Sequence, residues 1–146
     1  MPSLTQPYEA FEKPGLVVSY KVSNVKIYKG ALVALNTSGY AVPITHGTAS
    51  LKFIGVATET VDNSAGSAGD KSVIVAKSGS FLMKPAAGFS PVLVDLAKEV
   101  YAASDWEVQV STTGLTNLYK VGTIVGVETT STGVTGARIR IGTYVA

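Results

Sequence analysis

The chain has 146 residues, of which 46% are hydrophobic and only 15% are charged, and its 12 basic and 10 acidic residues give a formal net charge of +2. The charges are spread along the sequence without a run of Lys or Arg, which excludes the basic patch that binds nucleic acid or an anionic membrane. The absence of Cys excludes a disulfide framework, a thiolate nucleophile and a Cys-based metal site. A chain of this length is typical of one domain that buries roughly 70% of its unfolded surface.

The first 15 residues predict an extended arm. They include three prolines: Pro2, Pro7 and Pro14. Each proline removes a backbone donor and favours an extended residue before it, so neither a helix nor a central strand fits. Leu4, Tyr8 and Phe11 provide apolar side chains, so the arm either packs on its own domain or docks on another subunit by strand addition or in a groove. The alternative is an ordinary frayed terminus. We therefore divide the chain into an arm, residues 1–15, and a domain, residues 16–146.

The first part of the domain predicts four short strands. Alternation of apolar and polar residues indicates a strand over Leu16–Val22, and a second short strand follows at Val25–Tyr28. Ala31–Leu35 and Tyr40–Ile44 flank a turn of small polar residues, which predicts a hairpin. Pro43 cannot donate to a neighbouring strand, so we expect its strand to lie at a sheet edge or to end at Pro43.

The middle of the chain predicts three strands around one surface turn. Phe53–Thr60, Ser72–Lys77 and Ser80–Lys84 are rich in β-branched and aromatic residues. Asp62–Asp70 holds residues that tolerate a positive φ or bond their own backbone, and so predicts a turn. Pro91–Lys98 is the one helix candidate, and we expect a short helical turn there, capped by Asp95.

The rest of the chain predicts further strands and a closing hairpin. We expect strands at Glu99–Ala103 and Trp106–Ser111, and a hairpin over Tyr119–Val145. Four residues of the first hairpin strand should share one face: Val121, Thr123, Val125 and Val127. On the second strand, Ile139 and Ile141 should point inward, and Arg138 and Arg140 outward.

Two similar segments each contain a glycine within a strand. Ile54–Thr60 resembles Val125–Thr130, and Gly55 and Gly126 predict a bulge or tight bend in each. With about nine or ten short strands at regular spacing, we predict an all-β fold: a small β-barrel or sandwich of short antiparallel strands with at most one short helix.

Candidate chemical groups are few. His46 is the single histidine, which excludes a multi-histidine metal site, and the Gly-x-Ser-x-Gly elbow of a hydrolase is absent. Gly66–Ser72 contains glycines and a lysine, but the spacing of a phosphate loop is missing. We interpret His46 as a loop residue and expect neither catalysis nor a cofactor. The sequence also lacks a secretory signal and an apolar run long enough to span a membrane, so we expect synthesis in a cytoplasm.

Charged and aromatic residues give two further hypotheses. Four carboxylates are close in sequence: Asp95, Glu99, Asp105 and Glu107. They lack the spacing of a known Ca²⁺ loop, so we interpret them as solvated charges. Arg138 and Arg140 either face solvent or pair with carboxylates of a neighbouring subunit. The aromatic residues are scattered and do not indicate a stacking platform for nucleic acid.

The order of several short segments resembles the head decoration (cement) proteins of tailed bacteriophages. These segments are Gly55-Val56-Ala57, Val73-Ile74-Val75, Gly79-x-Phe81, Lys98-Glu99-Val100-Tyr101-Ala102 followed by Asp105, Val125-Gly126-Val127 and Arg138-Ile139-Arg140-Ile141. Together they span about Leu16 to Ile141, and the arm matches only in kind.

The resemblance implies a function. It implies a small β-barrel, usually trimeric, that binds the outside of an expanded capsid and holds subunits of the major capsid protein together, often through an N-terminal arm. On this basis Leu4, Pro7, Tyr8 and Phe11 are the expected capsid contacts. Arg138 and Arg140 stay a hypothesis for the subunit interface, beside the solvent-facing alternative. The alternative function is a virion adhesin or head-fibre module that binds host-surface glycan.

Overall fold

The computed structural model of the protein describes residues 17–129 and 135–141. Within these ranges it contains twelve strands and one turn of 3-10 helix, which confirms the predicted all-β fold class. Among these residues the helical structure includes no segment with the length and hydropathy of a membrane span. The predicted arm lies outside the described residues. The strands are β1 Val17–Lys21, β2 Lys26–Ile27, β3 Leu32–Leu35, β4 Ala41–Pro43, β5 Lys52–Ala57, β6 Val61–Asp62, β7 Ser72–Ala76, β8 Ser80–Pro85, β9 Glu99–Ala102, β10 Glu107–Gln109, β11 Lys120–Thr129 and β12 Thr135–Arg140, and the helical turn is Leu93–Asp95.

The strands form a five-stranded sheet, a closed barrel and a two-stranded ribbon. The sheet has the order β1-β7-β5-β3-β4, the barrel has the order β10-β8-β12-β11-β9, and the ribbon pairs β2 with β6. Neighbouring strands are antiparallel except β10 and β8, which are parallel. The sequence predicted a barrel or a sandwich. The strands of the second half of the described chain close into a barrel, whereas most strands of the first half form an open sheet.

The structure has two clusters of buried side chains, and β3 and β5 lie between them and contribute side chains to both. On β3, Leu32 and Ala34 belong to one cluster and Val33 to the other, as expected for alternating side chains. The barrel core consists mainly of Leu32, Phe53, Val56, Val100, Val121, Ile124, Ile139 and Ile141. The sheet core consists mainly of Val22, Ile27, Val33, Ile54, Val73 and Val75. Each of these large side chains contributes about 1.5–3 kcal/mol by its burial, so β3 and β5 stabilise both halves at once.

The predicted hairpin at β3 and β4 is confirmed, and its turn is held by one side chain. Asn36 Oδ1 accepts hydrogen bonds from the backbone amides of Ser38 and Tyr40, each 3.0 Å long. Val33 pairs with Pro43, and β4 is the last strand of the sheet. The edge position expected from Pro43 is therefore correct.

The predicted turn at residues 62–70 is also confirmed, and a buried amide anchors it. Asn63 is 1% exposed. Its Nδ2 lies 3.2 Å from Val22 O, 3.0 Å from Ser23 O and 2.9 Å from Ser67 O. One side chain thus ties the start and the middle of the turn to the segment that follows β1.

Gly55 lies at the bulge that was predicted for its strand. Val33 faces Gly55 and Ala34 faces Phe53, so Ile54 is the extra residue on β5. A Cβ at Gly55 would lie 2.1 Å from the carbonyl oxygen of Ala76, and the φ of this residue is +141°. Only glycine fits here, because the neighbouring strand approaches too closely for any side chain.

The face predicted for β11 is wrong, because the strand has two bulges. Val121 is the extra residue against β9, and Val125 is the extra residue against β12, beside Gly126 as predicted. Each bulge shifts the alternation by one residue. As a result Val121 and Ile124 are buried, three residues apart, while Val125 is 43% exposed.

Candidate binding surfaces

The most exposed large apolar side chains of the described residues lie in the helical turn before β9. Leu93 is 77% exposed and Val94 is 74% exposed. The nearby apolar residues Val92 and Leu96 are also exposed. We call the group Val92, Leu93, Val94 and Leu96 the apolar knob. The short helical turn that the sequence predicts within Pro91–Lys98 is confirmed, at Leu93–Asp95.

The apolar knob is held in a fixed shape by Asp95. Its Oδ2 accepts a hydrogen bond of 2.9 Å from the backbone amide of Val92, and its Oδ1 lies 3.0 Å from Lys98 Nζ. The amide of Val92 first, and then Lys98, lower the pKa of the Asp95 carboxyl group. Asp95 therefore caps the turn, as predicted from the sequence.

Backbone hydrogen bonds fasten the end of the knob to the barrel. The amide of Ala97 donates to Ile124 O over 2.8 Å, and the amide of Ile124 donates to Lys98 O over 3.0 Å. The buried Ile124 thus ties this loop to β11. The apolar side chains project from an ordered turn, and large exposed apolar groups of this kind mark interaction sites.

A second surface feature is a cleft that contains two exposed aromatic rings. Tyr28 is 57% exposed and Trp106 is 52% exposed. The cleft has a volume of about 370 Å³. Its lining consists of Tyr28, Lys29, Gly30, Ala31, Asp105 and Trp106, and we call it the aromatic cleft. Sequence reasoning missed it, because Tyr28 and Trp106 are far apart in the chain and only the fold brings them together.

Asp105 is the acidic group of the aromatic cleft. Burial is the main cause that raises the pKa of its carboxyl group, and the nearby Glu107 adds to the effect. Its carbonyl oxygen accepts a 2.6 Å hydrogen bond from the amide of Leu32, which fixes the loop against β3. Asp105 also lines a neighbouring cleft of about 540 Å³, together with Val42, Pro43 and other residues around β4.

Of the four carboxylates that are close in sequence, the three other than Asp105 have lysine partners. Asp95 pairs with Lys98 at 3.0 Å, Glu99 with Lys120 at 2.9 Å, and Glu107 with Lys84 at 3.8 Å. No group of three or more His, Asp or Glu residues in the described ranges could hold a metal ion. Glu99 and Glu107 are partly exposed, but Asp95 is buried, so the interpretation as solvated charges is wrong for Asp95.

His46 connects two loops. Its Nδ1 accepts a hydrogen bond of 3.1 Å from the amide of Thr116, and its carbonyl oxygen accepts from the amide and the side chain of Asn117, at 3.0 Å and 2.7 Å. These contacts are those of a loop residue, which is how the sequence was interpreted.

The two arginines of β12 point outward as predicted, while Ile139 between them is buried. Arg138 Nη1 lies 2.9 Å from Glu128 Oε1, and its Nε lies 3.3 Å from Ser80 Oγ. Arg138 therefore has partners within its own chain, and a role for Arg138 and Arg140 between subunits stays a prediction. The expected arm contacts lie outside the described residues: Leu4, Pro7, Tyr8 and Phe11.

Comparisons of the chain with protein-family models, with curated proteins and with solved structures found no match. The functional argument therefore depends on the surface of the described domain and on the resemblance seen in the sequence. The surface offers the apolar knob on the barrel side and the aromatic cleft between β2 and β10.

Proposed function

We propose that this protein is a head decoration protein of a tailed bacteriophage. It would bind the outer surface of the expanded capsid as a homotrimer and stabilise contacts between subunits of the major capsid protein. The observation that carries this proposal is the apolar knob, in which Leu93 and Val94 are about three-quarters exposed on an ordered turn. The sequence resemblance supplies the class of partner.

The knob has the physical properties of a preformed contact. Covering a side chain such as Leu93 or Val94 with a protein partner contributes up to about 1.5–3 kcal/mol. Because Asp95 and the bonds to Ile124 already fix the turn, binding loses little further conformational entropy. A rigid apolar projection therefore favours a stable docked state over a transient one.

The proposed mechanism is stabilisation by mass action. A ligand that binds only the assembled, expanded shell lowers the free energy of that shell by RT ln(1 + [L]/Kd). If the three subunits of a trimer engage together, the second and third contacts form at a high effective concentration. No bond is made or broken, so the proposal includes neither a cofactor nor a catalytic step.

Other parts of the chain have assigned places in this proposal. The arm, with Leu4, Pro7, Tyr8 and Phe11, would reach the capsid, and Arg138 and Arg140 would lie between subunits. The protein would be made in the cytoplasm of the host bacterium and act on the exterior of the virion. Neither nucleic acid nor a membrane would be a partner.

Co-sedimentation with expanded heads of the phage that encodes the chain tests the proposal. The variant Leu93→Ser/Val94→Ser should bind heads at least about tenfold more weakly, because two apolar contacts are lost. The matched control is Leu118→Ser, which changes a leucine that is 51% exposed elsewhere on the surface. Equal binding by the double variant and the control would show that the knob is not a capsid contact.

Two further measurements test the remaining elements of the proposal. Light scattering should give a mass three times the 15.1 kDa of one chain. Deletion of residues 1–14 should leave a folded domain that no longer decorates heads. Full occupancy by the deleted protein would contradict the assigned role of the arm.

A further inference from the structure

The two rings of the aromatic cleft belong to neither the barrel core nor the sheet core. Trp106 and Tyr28 each expose more than half of their surface, although aromatic side chains usually gain most by burial. Both rings lie at a concave place on the surface. Exposed rings that line a cleft are typical of sites where a small ligand supplies the missing contact.

Lysine side chains hold both rings. Lys84 Nζ lies 4.2 Å from the centre of the Trp106 ring, and Lys26 Nζ lies 4.7 Å from the centre of the Tyr28 ring. Lys84 is itself positioned by Glu107, at 3.8 Å. Since an ammonium group covers one face of each ring, the orientations are set before any ligand arrives.

The backbone of the cleft is also fixed. The amide of Gly30 donates to Ala57 O over 2.8 Å, and the amide of Lys84 donates to Trp106 O over 3.2 Å. The 2.6 Å bond from the amide of Leu32 to Asp105 O holds the remaining wall. The cleft is thus built on β3, β5 and β8 and is preorganised for binding.

We propose that the aromatic cleft binds carbohydrate. A pyranose ring would place its apolar C–H face on Trp106 or Tyr28, and its hydroxyl groups would donate to the Asp105 carboxylate and accept from Lys29. The cleft volume of about 370 Å³ lies within the range of about 300–1,000 Å³ found for small-molecule sites.

The charges around the cleft favour a neutral sugar over other ligands that stack on aromatic rings. The lysines already occupy ring faces, so a cationic ligand would meet positive charge at both rings. Asp105, the carboxylate that lines the cleft, would repel the phosphate of a nucleotide. A sugar has no charge to repel, and it satisfies the donors and the acceptor at the same time.

The neighbouring cleft extends the proposal to an oligosaccharide. Asp105 lines both clefts, and the second has a volume of about 540 Å³ with apolar walls at Val42, Pro43 and Ile44. A second sugar unit could therefore lie beyond Asp105. We expect a trisaccharide to bind at least about tenfold more tightly than the corresponding monosaccharide.

Trp106 is the single tryptophan of the chain, so its fluorescence reports directly on the cleft. We would titrate the full-length protein with D-glucose, D-galactose and N-acetyl-D-glucosamine, and with a trisaccharide of each. At least one sugar should give a saturable change at concentrations up to roughly tens of millimolar. No saturable change with any of them would overturn the proposal.

Two substitutions show whether the cleft itself is responsible. Asp105→Asn should weaken binding about tenfold, because a charge-assisted hydrogen bond to a hydroxyl is lost. Tyr28→Ala should weaken binding by a similar factor, and Leu118→Ala, an exposed control that lines neither cleft, should not change it. Thermal unfolding of each variant would confirm folding, since Tyr28 is exposed. Unchanged sugar affinity in both cleft variants, or saturable binding of tetramethylammonium in place of sugar, would overturn the proposal.

This inference does not depend on the decoration function, because the cleft and the apolar knob share no residue. Tyr28→Ala should leave binding to heads unchanged, and Leu93→Ser/Val94→Ser should leave sugar binding unchanged. Sugar binding without head binding would remove the decoration proposal and support the glycan adhesin instead. Head binding without sugar binding would remove only the inference about the cleft.

Discussion

The sheet and the barrel contain the same backbone device but differ in the result. In the sheet, Gly55 follows the extra residue of a bulge, and a Cβ there would lie 2.1 Å from Ala76 O. In the barrel, Gly122 follows the extra residue Val121, and its Cβ would lie 2.1 Å from Arg140 O. One bulge curves a sheet that ends at β1 and β4, whereas β11 has a second bulge, at Val125, and its sheet closes. One bulge on β5 is thus compatible with an open sheet, whereas the closed barrel has two bulges on the single strand β11.

The largest effect is expected from adding a methyl group at these close contacts. Gly55→Ala and Gly122→Ala should each destabilise the protein by at least about 3 kcal/mol, because a backbone carbonyl must move to admit the Cβ. Chemical denaturation of both variants measures the loss. Gly126→Ala is the control: its Cβ would lie 3.6 Å from the Arg138 side chain, in ordinary contact, and should cost less than about 1 kcal/mol. A small loss of stability in Gly122→Ala would contradict this prediction, because it would show that the barrel backbone can move to admit the Cβ.

A smaller effect is expected from Asn63, the buried amide that anchors the turn on the sheet side. Asn63→Ala removes the donor shared by Val22 O, Ser23 O and Ser67 O, and should cost about 2–3 kcal/mol. Urea unfolding is the measurement, and Ser64→Ala is the control because its side chain is exposed and bonds only to Asp62 within the turn. If the two variants lose equal stability, the buried amide does not anchor the turn.

The smallest effect concerns pH and the barrel side. The folded protein lowers the pKa of Asp95 below 3.8, so this carboxylate contributes stability above that value, and the contribution is lost as pH falls through the lowered pKa. Asp95→Asn should therefore flatten the acid part of the curve of unfolding free energy against pH. The same variant should also weaken head binding, because the apolar knob loses its cap. An acid limb as steep as that of the unchanged protein would contradict the assigned role of Asp95.

Much of the fold could be predicted because its signals are local. Asn36 and the residues around it specify a tight turn, Pro43 requires an edge, and Asp95 is suited to cap a short turn, so each was located from a few neighbouring residues. The alternation of β11 could not be predicted, because a bulge depends on which strands lie on either side. Gly126 correctly indicated the bulge at Val125. The bulge at Val121 had no signal in the sequence except the neighbouring Gly122.

The candidate sites were harder to predict than the fold. The run Pro91–Leu96 has apolar residues without a polar face, and whether they are buried depends on what packs over them in three dimensions. The aromatic cleft needs Tyr28 and Trp106 to meet, and the sequence holds no local sign of that contact. Asp105 stood out in the sequence as one of four close carboxylates, although its place in a cleft was not predicted.

The position of β12 in the barrel has a consequence for how the chain folds. β12 lies between β8 and β11, and its pairing with β8 joins residues more than fifty positions apart, such as Phe81 and Ile139. Chains dominated by such distant pairings fold slowly, on the order of milliseconds to seconds. Until β12 is made, β8 and β11 each have an unpaired edge. Unpaired strand edges favour aggregation, so chaperone access during folding should affect the yield of the protein.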